Sequence, residues 1–129
     1  MKLDFDCIRD ILLTVENTEF AEMLTAQNLS DELGYPLEVI MYTAKMLEQG
    51  GYITGRIDDV LQYPPQANDC IIYSLTFTGH EYLNSIRDNS VWSKFKSIVG
   101  KAALPFTLEI SQYTCSNLLA DLISAHLKG

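Results

Sequence analysis

Side chains able to act as nucleophiles, acids, bases or metal ligands are scattered along this sequence of 129 residues. Catalysis by His80 would require a nucleophile or a metal ligand nearby, and the sequence places only Glu81 beside it. The three cysteines, Cys7, Cys70 and Cys115, are widely spaced and match no Cys-x-x-Cys or Cys/His zinc pattern. We therefore expect buried reduced thiols, no metal, no cofactor and no enzymatic activity.

Recognition of another molecule is a second kind of chemistry, and the sequence places it on a helix. A short helix over 29–33 stops at Gly34, and a second helix is predicted over 35–49, so that the two form a helix-turn-helix. The inward side is predicted to carry Leu29, Leu33, Ile40, Ala44, Leu47 and Ile53. The groove-facing side is predicted to carry Leu37, Glu38, Val39, Met41, Tyr42 and Lys45.

This groove-facing set decides what the second helix can bind. Side chains that read DNA are mostly Arg, Lys, Asn, Gln, Ser and Thr, because base edges and phosphates require hydrogen-bond donors and acceptors. The set here is mostly apolar, with one acid, Glu38, and one base, Lys45. An outward apolar face predicts cover by C-terminal helices or self-association, contact with another protein, or, as a third alternative, DNA.

A β-hairpin follows the two helices directly. Strands are predicted over 52–61 and 70–77, with a proline-containing break between them. Arg56 is the basic residue of this wing, and Asp58 and Asp59 follow it closely. A wing arginine can enter a minor groove, but neighbouring acids repel the same phosphates, so the pattern favours a solvated arginine over a DNA contact.

Further helices are predicted on both sides of this core. An amphipathic helix is predicted over 4–16, and the segment 20–24 forms either a short helical turn or a first strand. Capping residues predict three more helix starts, at Thr78, Ser90 and Thr107, with helices ending near residues 88, 99 and 127. Core packing is predicted for Val91, Trp92, Phe95 and Ile98. The last helix carries an apolar stripe of Cys115, Leu118, Leu119, Leu122 and Ile123.

These elements predict an α+β fold: a winged helix-turn-helix with a β-hairpin wing and additional C-terminal helices. We expect a winged-helix domain over 1–88 and a C-terminal helical extension over 89–129, packed on the same domain. The first segment holds fifteen acidic and five basic residues, and the second holds four lysines and two acids. A nucleic-acid binder normally presents a basic surface to phosphate, so this charge disfavours DNA.

Location in the cell follows from the distribution of apolar residues. They make up 47% of the sequence, enough for a packed core, but no run approaches the roughly 20 residues of a membrane span. The opening Met1–Asp6 becomes acidic at once and lacks the apolar stretch of a signal peptide. We expect a cytoplasmic protein without membrane contact.

Two stretches carry a family resemblance. The opening Met1–Leu13 resembles the start of an uncharacterised bacterial and phage family, domain of unknown function 2513. The stretch Leu75–Asp88, followed by Val91 and Trp92, is similar to the second signature of that family. The resemblance covers nearly the whole chain and implies a winged-helix fold, a bacterial or prophage source and no known activity. It supplies no catalytic or ligand residues, and the tail departs from the lysine-rich helix associated with the family.

The function predicted from these patterns is non-catalytic binding. The partner is expected to be a protein or a second copy of the chain, with a homodimer formed through the C-terminal helices, and no small-molecule substrate is evident. One alternative is a DNA-binding transcription regulator, because only the contact surface has to be basic. Another alternative is an acidic mimic of DNA that blocks a DNA-binding protein.

Overall fold

The computed structural model describes residues 1–58, 70–103 and 105–128. They belong to two compact units, Met1–His80 and Glu81–Gly129. The division at residue 88 and the packing of the extension on the first domain stay predictions. None of the helices among the described residues combines the length and the apolar character needed to cross a membrane.

The first unit is built around three helices. Helix α1 (Phe5–Glu16) begins after Asp4, whose side chain accepts a hydrogen bond from the Cys7 N–H at 3.1 Å. Helix α2 (Ala26–Leu33) ends at Gly34, which adopts the left-handed conformation with a φ of 81°. Helix α3 (Leu37–Gln49) follows a tight turn, with Pro36 at the cap rather than within the first turn. The helix-turn-helix is confirmed, although α2 begins three residues earlier than 29.

A small antiparallel sheet completes the unit. Strands β1 (Leu24–Thr25), β2 (Ile53–Ile57) and β3 (Cys70–Leu75) lie in the order β1-β3-β2. The strand alternative for 20–24 is therefore correct, at its last residue and the next. The chain order of helix, strand, two helices and a hairpin is that of a winged helix, which confirms the predicted fold class. Strand β2 begins one residue after the predicted 52, and β3 ends two residues before the predicted 77. The end of the predicted first strand, from residue 59, and the break over 63–69 lie outside the described residues.

Strand β3 is joined to helix α4 (Phe77–Ile86) at a crowded junction. The backbone N–H of Thr76 donates to the Tyr52 carbonyl at 3.0 Å, and the Thr76 hydroxyl donates to the Gly51 carbonyl. The same hydroxyl accepts a hydrogen bond from the Gly79 N–H at 2.9 Å. Thr76 therefore caps α4, and the predicted cap at Thr78 is wrong by two residues.

Gly79 is required at this junction because there is no room for a side chain. A Cβ atom at this position would lie 2.0 Å from the Tyr52 carbonyl oxygen and 3.0 Å from its carbon. Both atoms belong to the backbone, so neither can move aside without displacing the start of β2. The resemblance in Leu75–Asp88 thus includes a glycine whose function is structural.

The second unit contains the end of α4, then α5 (Asn89–Ala102) and α6 (Leu108–Lys128). The α5 cap is Asp88, which accepts from the Val91 N–H at 2.9 Å; the predicted cap, Ser90, instead donates to the Asp88 carboxylate. Thr107 caps α6 as predicted. The rings of Trp92, Phe95 and Phe106 pack with centroids 4.9–5.8 Å apart, while Ile98 is 38% exposed and lies outside the core.

No buried side-chain nitrogen or oxygen among the described residues lacks a hydrogen-bond partner. The hydroxyl groups of Tyr82 and Ser111 lie 2.7 Å apart and are buried in the second unit.

The thiols of Cys7, Cys70 and Cys115 are buried and unbridged, as predicted. Burial raises the pKa of the Cys7 and Cys70 thiols to about 11, which keeps them neutral and unreactive near neutral pH.

The junction predicts opposite effects for two glycine substitutions. Gly79→Ala should destabilise the protein by about 3 kcal/mol, because the new methyl group overlaps the Tyr52 carbonyl. Gly100→Ala, inside α5 with nothing within 4 Å of its added Cβ, should stabilise it by about 0.5–1 kcal/mol. Urea unfolding followed by circular dichroism measures both. A Gly79→Ala variant as stable as the unchanged protein would contradict the crowded junction.

Candidate interaction surfaces

The predicted recognition face of α3 is divided by the structure. Of its six residues, Glu38 is exposed, and four are half-buried: Leu37, Val39, Tyr42 and Lys45. Met41 is only 1% exposed and belongs to the core. Its prediction as a groove-facing residue is wrong.

The reason is the width of the buried stripe on this helix. Ile40, Ala44 and Leu47 define the inward direction, and successive side chains turn by about 100° around the helix axis. Met41 is one such step from Ile40, at the border of the stripe, where the core is wide enough to cover it. All the residues predicted to face inward are buried except Leu33, which is half-buried.

The side of α3 opposite this stripe carries Glu38, Tyr42, Lys45 and Gln49, at i, i+4, i+7 and i+11. We call this side the open face of α3. It is more polar than predicted, because the apolar residues of the predicted set, apart from Tyr42, lie at its flanks or in the core. Gln49 was missed, although a helical projection anchored on the three inward residues would have identified it. Together the four side chains offer both hydrogen-bond donors and hydrogen-bond acceptors.

The wing contributes one base to the same unit. Arg56 is exposed in β2, and its backbone pairs with Ile71 of β3. Asp58 is exposed two residues further on, while Asp59 lies outside the described residues. Residues 1–80 contain thirteen acidic and four basic residues, so the open face of α3 belongs to a strongly acidic unit. Such a unit repels phosphate over several ångströms at physiological salt.

A second surface lies on α6. Cys115 is fully buried and Leu118 and Leu119 are half-buried, but the stripe continues into solvent. The exposed fractions are 51% for Leu122, 60% for Ile123 and 80% for Leu127. The apolar stripe of α6, from Cys115 to Ile123 as predicted and with Leu127 one turn beyond it, is therefore covered only in its first half by its own unit.

The middle of the stripe lines a shallow cleft between α5 and α6. The cleft has a volume of about 340 Å³ and is lined by Val91, Leu118 and Leu122, with Lys94 and Asp121 at its polar rim. Its walls are mostly apolar, and its rim carries one charge of each sign. Among the described residues, no three His, Cys, Asp or Glu side chains are grouped so that they could hold a metal ion.

Comparison with known proteins now places the chain in a family. A family model described as "Hypothetical protein (DUF2513)" matches residues 2–105. The chain belongs to the DUF2513 family. The resemblance identified from the two sequence signatures is thereby confirmed, and helix α6 follows the matched residues.

One relative and one solved structure are similar to this DUF2513 chain. An uncharacterized protein of Haemophilus influenzae is 27% identical over 126 residues, which cover 96% of this chain and all of that protein. The crystal structure of the adhesin competence repressor AdcR from Streptococcus pyogenes aligns over 99% of this chain and 84% of that chain. Its TM-score is 0.48 and its sequence identity is 15%.

The division of α3 predicts unequal effects of truncating two of its residues. Met41→Ala should lower the free energy of unfolding by about 2–5 kcal/mol, because it leaves a cavity in the core. Lys45→Ala, on the open face of the same helix, should change it by less than about 0.5 kcal/mol. Denaturant unfolding measures both values. If both substitutions changed the free energy of unfolding by the same small amount, Met41 would have to lie on the surface rather than in the core.

Proposed function

We propose that this DUF2513 chain is a non-enzymatic winged-helix binding module that self-associates through α6 and binds protein rather than duplex DNA. The observation that carries the proposal is the apolar stripe of α6, whose second half is exposed. Monomeric proteins seldom keep a large contiguous apolar surface in water, and such surfaces usually mark interaction sites.

The pattern of α6 supports a helix that packs through one side along its whole length. The stripe lies on one side, and the opposite side carries Asn117, Ser124 and Lys128, all exposed. At the start of the stripe, Cys115 is buried in the core. Further along, Leu122, Ile123 and Leu127 are not covered by any of the described residues. The second half of α6 is therefore suited to a helix–helix contact.

A second copy of the chain is the occupant that fits this surface. A two-fold interface brings the same patch of each copy together, so the patch must complement itself. The rim of the cleft carries both Lys94 and Asp121, and a two-fold axis can pair each with its opposite in the other copy. The segment 89–129 also lacks the acidic excess of 1–88, so two copies repel each other least there.

Sedimentation equilibrium on the full chain tests self-association. The unchanged protein should sediment with twice its chain mass of 14.5 kDa. Leu122→Glu places a charge within the stripe and should reduce the mass to that of one chain, because a buried unpaired carboxylate is costly. Ser124→Glu, on the opposite side of the same helix, is the matched control and should leave the dimer intact.

Circular dichroism must show the same helix content for both variants, since the comparison assumes a folded α6. An unchanged protein that sediments as a single chain at high micromolar concentration would overturn the self-association proposal. A Ser124→Glu variant that dissociates as readily as Leu122→Glu would move the interface off the stripe.

A DNA-binding regulator is the second candidate, and the open face of α3 is the observation that favours it. Lysine and glutamine there match side chains that read guanine and adenine edges. Under our proposal, fluorescence anisotropy with random-sequence duplex DNA should show no salt-dependent binding at physiological ionic strength, because acids outnumber bases in 1–80. Nanomolar, salt-sensitive binding that is lost in Lys45→Ala but kept in Lys2→Ala would establish the second candidate instead.

A further inference from the structure

A groove in the first unit lies away from the recognition helix. It is lined by Val15 and Glu16 at the end of α1, by Glu19 and Phe20 of the α1–β1 connection, and by Tyr73 and Leu75 of β3. Its volume is about 280 Å³. We call it the loop groove. Val15 and Leu75 are buried at its base, and Tyr73 is 46% exposed.

The loop that forms one wall has a defined backbone. The Thr18 N–H donates to the Val15 carbonyl at 3.2 Å, and the Thr18 hydroxyl donates to the Thr14 carbonyl at 2.9 Å. A turn then joins the Glu22 N–H to the Glu19 carbonyl at 3.0 Å. Ala21 within this turn has a φ of 72°, a left-handed conformation that a non-glycine residue rarely adopts.

This backbone places Phe20 entirely in solvent. Its exposed fraction is 102%, the highest among the large apolar side chains of the described residues. An aromatic ring can bury a large area with few torsions to immobilise, which is why aromatic residues are frequent at the energetic centres of interfaces. A hydrogen-bonded turn that holds such a ring in water favours a docking surface.

The charge around the loop groove indicates what docks there. Glu16 and Glu19 line it, and Glu22 closes the turn. His80 is the one described lining residue that can carry a positive charge, and its Nδ1 lies 4.0 Å from the Glu16 carboxylate. An apolar groove with a rim of carboxylates complements a segment that combines a large apolar side chain with lysine or arginine.

We propose that the loop groove binds a cationic segment of another protein, with an apolar side chain of that segment packed between Phe20 and Tyr73 and its bases beside Glu16 and Glu19. The proposal rests on the proposed function only in taking the partner to be a protein. It concerns residues other than those of the α6 stripe, so the two proposals fail independently.

Selection from a phage-displayed library of random linear peptides, on the full-length chain, tests this proposal. Enriched peptides should carry a large apolar residue next to lysine or arginine. Selection of acidic or uncharged peptides, or no enrichment, would overturn the proposal.

Fluorescence anisotropy with the enriched peptides then locates their site. Phe20→Ser should weaken binding roughly 30-fold or more, as expected for an interface anchor. Phe77→Ser is the matched control, because Phe77 is also an exposed phenylalanine of the first unit, at 78%, and does not line the groove. Its affinity should stay within about twofold of the unchanged protein.

A charge pair of variants completes the test. Glu19→Gln should weaken binding about two- to fivefold and reduce its salt dependence. Glu32→Gln, an exposed acid of α2 outside the groove, should do neither. Equal effects of the two substitutions would indicate attraction to the overall negative charge and would overturn the site.

Sedimentation separates this proposal from self-association. Phe20→Ser should keep the mass of the unchanged protein while it loses the peptide, and Leu122→Glu should keep the peptide while it loses the dimer. Loss of the dimer in Phe20→Ser would make a second copy the occupant of the loop groove and would overturn the cationic segment.

Discussion

The start of β2 and the start of α4 depend on one carbonyl group, that of Tyr52. It accepts the Thr76 N–H and leaves room on its other side only for a glycine, Gly79. The contact joins the chain after the helix-turn-helix to the end of the wing, so it fixes where the hairpin begins and where it ends. The wing strands must pair in a register that keeps Ile53 opposite Leu75, immediately beside this contact.

Periodic elements of the fold were predictable from the sequence. Helices α1, α3 and α6 carry apolar residues at helical spacing, and glycine marks the ends of α2 and α3, at Gly34 and Gly50. Helix starts were less predictable where two capping residues compete. Thr78 precedes a glutamate by three residues, the spacing of a capping box, yet Thr76 caps α4 because the Tyr52 backbone holds it there.

The candidate surfaces were predictable only in part, for a similar reason. The recognition helix was located correctly. The boundary of its buried stripe, however, depends on how much of the helix the neighbouring elements cover, and the spacing of apolar residues along the sequence does not show this. Met41 was therefore assigned outward and Gln49 was missed. The stripe of α6 was found from its spacing, whereas the exposure of Phe20 depends on a turn around Ala21 that no sequence motif marks.

The edges of the sheet have a consequence for how this chain behaves at high concentration. One edge is a strand of two residues, β1, and the other, β2, carries Gly55 at a register shift and the charged Arg56. Short, irregular or charged edges offer few backbone groups in line for a foreign strand to extend. The described edges therefore disfavour the addition of a foreign strand, so the exposed side chains of Phe20 and Leu127 can make contacts while the backbone of the sheet resists amyloid-like growth.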